Sequence, residues 1–352
     1  MITIAIGISI LLLLVVLFQL FRIGTLASIF RGSSQKAAGT TKTSNKVNST
    51  MLLLFLIIGG AAFVWSFAAA WDDMNQPLAS VHGEWTDELF WTTMIVIGIV
   101  FVITQILLFW YSYKFQHKEN KRAYYYPHNN KLEIIWTTIP AVVMALLVFA
   151  GWKTWTKITS SAPADAVVVE VMGKQFNWMV RYPGPDGKLG VTKTTLIDAT
   201  NEFGIDFSDP NSHDDIVNPL EIHVPKGKPV LFKIRSRDVI HSVFLPHFRQ
   251  KMDAVPGMPT KFWFVPTKTT SEMQSETGNS EFKYELACTE ICGRGHFAMR
   301  YVVVVDEPED YEAWLAKQQA FAVQNPDVVA KFTSAAGQKP ATEEAPAPVA
   351  AE

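Results

Sequence analysis

The chain has 352 residues, with 31 Lys and Arg against 33 Asp and Glu and a formal net charge of -2. The length allows two domains, and no basic patch, internal repeat or phosphate-binding glycine loop is present, so nucleic acid and nucleotide chemistry are set aside. The apolar fraction of 49% hides a split: residues 1–152 carry four long uncharged apolar segments, and the rest reads as a water-soluble domain with a polar tail.

The segments cover 1–21, 51–71, 90–113 and 134–152. A helix rising about 1.5 Å per residue needs about 20 apolar residues to cross a bilayer core. Buried helices of a soluble protein would show charged stripes, and these do not, so four membrane spans are expected. The first segment lacks the basic start and short apolar run of a cleaved signal peptide, which points to a retained helix. Five cations (Arg22, Arg31, Lys36, Lys42, Lys46) lie between the first two segments, and five more (Lys114, Lys118, Lys121, Arg122, Lys131) lie between the last two. The intervening loop has none, but holds Asp72, Asp73, Glu84, Asp87 and Glu88. Basic loops stay in the cytoplasm. Both termini, and everything after Trp152, are therefore expected outside it.

Residues 156–166, TKITSSAPADA, read as a linker. Six β-type runs follow: VVVEVMG, FNWMVRY, VLFKIRS, KFWFVP, KYELACT and YVVVVD, separated by Pro, Gly, Asp and Asn clusters. They predict an all-β sandwich. Asp306 with Glu309 predicts a capped helix through PEDYEAWLAKQQAF. From about Ser334 the Ala, Pro and Glu-rich tail has too little apolar content to fold.

The stretch CTEICGRGHFAM, residues 288–299, contains both cysteines of the chain. Three readings compete. A disulfide suits an extracytoplasmic domain, but it would close a tiny ring and leave His296 and Met299 unexplained. Zinc could take Cys288, Cys292, His296 and one more histidine, with Met299 incidental. Copper uses thiolate, imidazole and thioether together and accounts for more of the stretch. Two cysteines in one loop suit a pair of coppers bridged by both sulfurs, which needs a second imidazole. Of the eight histidines, His117 and His128 fall on the cytoplasmic side and His82 in a short loop far from the domain. His213 and His223 precede the core strands. That leaves His247, in a loop after a proline, and His241, which ends the strand-like run VLFKIRSRDVIHS and is preferred.

With these residues in view, the chain resembles subunit II of haem-copper cytochrome c oxidases over roughly residues 88–322. The pattern C-x-E-x-C-x-x-x-H-x-x-M is met by Cys288, Glu290, Cys292, His296 and Met299, and DVIHS (238–242), KMDAVPG (251–257) and LEIIWTTIP (132–140) match further family blocks. The resemblance implies a cupredoxin-like Greek-key β-sandwich after the membrane helices, an α+β membrane protein overall. It implies a binuclear copper A centre with Cys288 and Cys292 bridging, His241 and His296 binding one copper each, Met299 axial to one and the Glu290 carbonyl serving the other. The Glu290 side chain would hold magnesium at the junction with subunit I. Glu133, otherwise a favourable partner for a helix N-terminus, would mark the mouth of a proton path.

Two departures stand out. In GKQFNWMVRY (173–182), Phe176 replaces the Trp at which the family takes in electrons, although Trp178 is kept. Arg181 stands where relatives place an acid that docks basic cytochrome c, leaving Asp238 as a docking acid. This speaks against a mitochondrial-type soluble cytochrome c and for a membrane-anchored cytochrome c or a complex-bound haem protein as donor. The first two helices are additional to the family pattern. No C-x-x-C-H is present, so no covalent haem is expected.

The expected layout is two extra spans in 1–72, a helical hairpin in 88–155, the copper domain in 160–322 and a disordered tail in 333–352. The function implied is the electron-relaying subunit of a proton-pumping terminal oxidase in the bacterial inner membrane, with its domain periplasmic and subunit I as partner. A quinol-oxidase subunit would lack the copper ligands. A copper-delivery module would need no Glu133, and a zinc-stabilised subunit would be colourless.

Overall fold

The computed structural model of the chain describes residues 2–30, 42–118 and 120–336. It divides into two compact units, 1–74 with 94–138, and 75–93 with 139–352.

The first unit is helical. It holds α1 (Ile2–Phe30), α2 (Lys42–Ala69) and the short α3 (Trp71–Met74), with the later part of α4 (Val81–Lys114) and the start of α5 (Asn130–Thr159). Aromatic contacts tie α2 to α4: Phe55 meets Phe109 at 5.5 Å and Phe63 meets Phe101 at 5.7 Å between ring centroids. Among the described residues three helices, Ser44–Ala69, Val81–Lys114 and Asn130–Thr159, are long and apolar enough to cross a membrane, and α1 carries the shorter apolar stretch Leu12–Gly24. Their apolar side chains are bare, as suits faces covered by lipid.

The second unit is a sandwich of two five-stranded sheets among the described residues. One sheet runs in the order β3 (Ile216–Val217), β2 (Asn177–Tyr182), β1 (Val167–Lys174), β5 (Val230–Ser236), β8 (Thr260–Phe264). The other runs β4 (Ile222–Pro225), β10 (Arg300–Asp306), β9 (Tyr284–Cys288), β6 (His241–Leu245), β7 (Gln250–Ala254). Parallel pairing of β1 with β5 and of β10 with β4 shows crossing connections, the mark of a cupredoxin-like topology. The inner faces alternate as a half-buried strand must: Val230, Phe232 and Ile234 are buried, while Leu231 and Lys233 are not.

The six β-type runs are strands β1, β2, β5, β8, β9 and β10. Strands β3, β4, β6 and β7 were not legible, being short and mixed in polarity. The long run ending at His241 is corrected: β5 stops at Ser236, the chain turns over 237–240, and His241 opens β6 in the opposite sheet. The capped helix is also corrected. Asp306 ends β10 and its carboxylate pairs with His223 at 2.6 Å, and helix α7 (Pro308–Leu315) has Glu307 at its N-cap without a side-chain cap. The capping box lies elsewhere, between Thr269 and Glu272 on α6 (Thr270–Thr277).

The loop between the second and third apolar segments is part of the sandwich. Ala79 is fully buried in the core, its N–H donates to the His247 carbonyl (2.8 Å), and Asp87 pairs with Arg249 at 2.9 Å. His82 is therefore not remote from the domain: it is buried and its ring meets Trp263 at 4.3 Å. Beyond 322 the chain continues through α8 (Phe321–Gln324) and α9 (Pro326–Ala336), where Phe332 closes a second core with Met172, Met179, Phe203, Ile205 and Phe207. The remainder of the predicted tail, 337–352, lies outside the described residues.

Candidate metal centre

The strands bring the candidate ligands to one end of the second sheet, at its inner strands β6 and β9. β6 lies beside β9 with Val243 opposite Cys288, so His241, at the start of β6, and Cys288, at the end of β9, reach the same corner. Gly173 on the facing sheet makes the room: a Cβ there would come within 2.7 Å of the His241 ring. The loop after Cys288 is closed by the Cys288 N–H donating to the Met299 carbonyl (3.0 Å) and tied to β6 by the Thr289 N–H donating to the Ser242 carbonyl (3.2 Å). A single turn, His296–Ala298, then returns His296 and Met299 to the cysteines.

The donor atoms converge. Cys288 Sγ lies 3.9 Å from His241 Nδ1 and 4.0 Å from Cys292 Sγ. Cys292 Sγ lies 3.7 Å from His296 Nδ1 and 3.8 Å from Met299 Sδ. The Glu290 carbonyl oxygen is 3.2 Å from Cys288 Sγ. Metal–sulfur and metal–nitrogen bonds of about 2.0–2.3 Å give tetrahedral ligand–ligand edges of about 3.5–3.8 Å, so these separations suit ligands around metal. They do not suit a disulfide, whose sulfurs stand about 2.05 Å apart, and both cysteines are free.

His241, Cys288 and Cys292 are all buried. Burial, with Cys288 beside it, pushes the Cys292 thiol up to about 11. A metal that binds both sulfurs as thiolates must therefore displace these protons. Two sulfurs, each with its own imidazole, a thioether and a carbonyl form a donor set that fits copper.

The remaining predicted residues fall into place around this corner. Asp238 is an exposed residue whose carboxylate is also engaged with the site. Its Oδ1 accepts from His241 Nε2 at 2.8 Å and its Oδ2 from the Gln175 N–H at 2.7 Å. That leaves the His241 Nδ1 lone pair aimed at the sulfurs, the arrangement by which a carboxylate orients a ligating imidazole. Burial raises the Asp238 carboxyl, but the hydrogen bonds from Gln175, His241 and Val239 outweigh it, and the net shift is downward. Phe176 is half exposed above the metal loop, while Trp178 is buried, edge-on to His241 at 5.9 Å, with its indole N–H donating to the Met299 carbonyl at 3.4 Å. Glu290 is exposed. Glu133 belongs to the helical unit, where its carboxylate accepts from the Asn129 N–H at 3.3 Å.

Arg181 is corrected outright. It is 2% exposed and holds Glu170 at 2.6 Å and Asp215 at 2.8 Å, with its guanidinium 5.7 Å from the Phe203 ring, so it is buried on the outer face of the first sheet beneath the second core and not on a docking face. One residue of the site escaped the sequence reading. Gln175 spans the two halves: its N–H binds Asp238 and its side-chain amide donates to the Cys292 carbonyl at 2.5 Å. Its place beside Phe176 in the aromatic block was the available signal.

A soft-donor metal corner on a cupredoxin-like sandwich, carried by membrane helices, defines a membrane-anchored electron-transfer subunit. Comparison with known proteins narrows the class. The description "Cytochrome C oxidase subunit II, transmembrane domain" matches residues 68–153, and "Cytochrome C oxidase subunit II, periplasmic domain" matches 167–306. The chain is 36% identical over 290 residues to the alternative cytochrome c oxidase subunit 2 of Bradyrhizobium diazoefficiens, a match spanning 80% of this chain and 98% of the relative. It is 30% identical over 259 residues to cytochrome c oxidase subunit 2 of Thermostichus vulcanus, spanning 66% and 75%. A crystal structure of the periplasmic domain of subunit II of the Bradyrhizobium japonicum cytochrome oxidase is matched at 24% identity over 44% of this chain and 95% of that one, with a TM-score of 0.30.

The chain belongs to the cytochrome c oxidase subunit II family. It is a subunit of a haem-copper oxidoreductase complex, anchored in a bacterial membrane with its C-terminal domain in the periplasm.

Proposed function

We propose that Cys288 and Cys292 bridge two coppers, that His241 and His296 bind one each, and that Met299 and the Glu290 carbonyl complete the set. The observation that carries this reading is the pairing of each sulfur with its own imidazole, Cys288 with His241 and Cys292 with His296. When bound, the copper pair supplies a one-electron relay from a periplasmic haem donor to the haem of subunit I, where oxygen is reduced and protons are pumped. This chain's residues hold the ligands still and keep water out. Asp238 fixes the His241 ring, Trp178 packs behind it, and Gln175 ties the cysteine loop to Asp238. Phe176 offers the surface at which electrons enter.

The Glu290 side chain, exposed beside the copper corner, would hold magnesium against subunit I. Glu133 would stand at the cytoplasmic mouth of a proton path. Four membrane spans are proposed, the first two packing against a neighbouring subunit.

The test is the electron paramagnetic resonance spectrum of the copper-loaded protein. One electron shared over two copper nuclei supports the reading. A single-nucleus hyperfine pattern, or a colourless zinc-bound protein, sinks it.

A further inference from the structure

The second core covers only part of the first sheet's outer face. It closes over β1 and β2 through Met172 and Met179 and leaves β5 and β8 open. A cleft of about 950 Å³ lies there, floored by β5 and β8 and walled by residues 192–197 on one side and the loop 255–259 on the other. On its floor Lys233 of β5 and Lys261 of β8 are direct cross-strand partners, both exposed and neither in an ion pair among the described residues. Like charges set directly opposite each other destabilise a sheet. A lysine on an edge strand blocks unwanted pairing, which accounts for Lys261 but not for Lys233, whose strand is paired on both sides.

The neighbouring acids do not cancel the pair. Glu170, the acid in the cleft lining, gives one oxygen to Arg181 at 2.6 Å and the other to Arg235 at 3.2 Å, and Arg181 also holds Asp215. Those two cations and two acids balance. Lys174 and Arg237 are offset by Glu202, which they share, and by Asp238. Lys193 takes Asp206, Lys331 takes Asp198, and Lys251 and Asp253 are exposed together on β7. The charge left over is that of Lys233 and Lys261. A carboxylate between them would bring one negative charge, whereas a phosphomonoester brings about 1.5 to 2 with three acceptor oxygens. The Thr194 hydroxyl lines the wall beside them.

We infer that this cleft binds a phosphate group of that kind between Lys233 and Lys261, as inorganic phosphate or as the phosphomonoester headgroup of a lipid. The membrane is close by: two residues along the same face of β8, the Trp263 indole N–H donates to the hydroxyl of Ser160, the residue after α5, at 3.3 Å. The inference does not depend on the copper reading.

The experiment uses the purified, delipidated oxidase containing the full chain, dialysed to equilibrium against radiolabelled inorganic phosphate in a low-salt chloride buffer. Saturable binding is expected, and Lys233→Gln and Lys261→Gln should each weaken it about tenfold. Lys251→Gln, which removes the same charge outside the cleft, should leave it unchanged. Phosphatidic acid in mixed micelles is then added as competitor. Displacement beyond that caused by phosphatidylcholine supports the inference with a lipid as the source, and no such displacement supports it with free phosphate as the source. Absence of saturable binding, binding unchanged in both cleft variants, or an equal loss in Lys251→Gln overturns the inference.

Discussion

Replacing Arg181 by leucine separates a buried structural role from a docking role. The guanidinium is 2% exposed, and its partners Glu170 and Asp215 are 6% and 0% exposed. Without it Glu170 keeps Arg235 at 3.2 Å, but Asp215 keeps only the Gly190 N–H at 3.2 Å, with its Oδ1 already lacking a partner. Removing one member of a buried pair costs about 3–5 kcal/mol, mostly through the charge left behind. At about 2–4 °C per kcal/mol for a domain of this size, the melting temperature should fall by roughly 10 °C. The loss should depend on pH in a definite sense. Burial pushes the Asp215 carboxyl up to about 7 even though Arg181 opposes it, and removing Arg181 raises it further. A folded-state value above the unfolded one means that the folded protein binds more protons, so stability falls as pH rises through that window. The variant should thus lie furthest below wild type at pH above about 7 and recover part of the gap when acidified. Thermal unfolding followed by circular dichroism at both pH values checks this. A melting temperature equal to wild type at alkaline pH, with slowed reduction by a donor protein, would refute the reasoning and return Arg181 to the surface.

Asp238→Ala should weaken copper binding by about 10–100-fold, because the carboxylate that orients His241 is lost; Asp238→Asn, which keeps an acceptor oxygen, should lose less in the same competition titration. Met299→Leu should retain copper and shift its reduction potential, since a thioether is a weak axial ligand; complete copper loss would contradict that role. His247 sits between Phe282 and Tyr284, with ring centroids at 5.0 and 5.6 Å and its Nδ1 buried without a partner. Burial, aided by Arg249, lowers it to about 4. Its contribution, about 2–3 kcal/mol, is present above pH 6.5 and lost as the pH falls toward 4. His247→Phe should flatten that acid loss in thermal melts, and an unchanged acid profile would exclude His247 as its source.

The membrane segments were legible because a bilayer imposes a length and a charge rule on the local sequence alone. The six hydrophobic strands and the cysteine loop with His296 and Met299 could also be read from the sequence by itself, since these candidate ligands are near neighbours along the chain. Strands β3, β4, β6 and β7 were hidden, because each is held by pairing with its neighbours in the sheet and not by its own composition. Tertiary structure alone decided four things: that His241 opens a strand beside that of Cys288, that the Asp238 carboxylate holds its ring, that Arg181 is buried, and that residues 75–87 complete the sandwich. Each depends on contacts between residues far apart in sequence, such as Asp87 with Arg249 and Arg181 with Asp215. Whether a charged side chain faces a partner or the core is set by what the fold places beside it, and no local pattern records that.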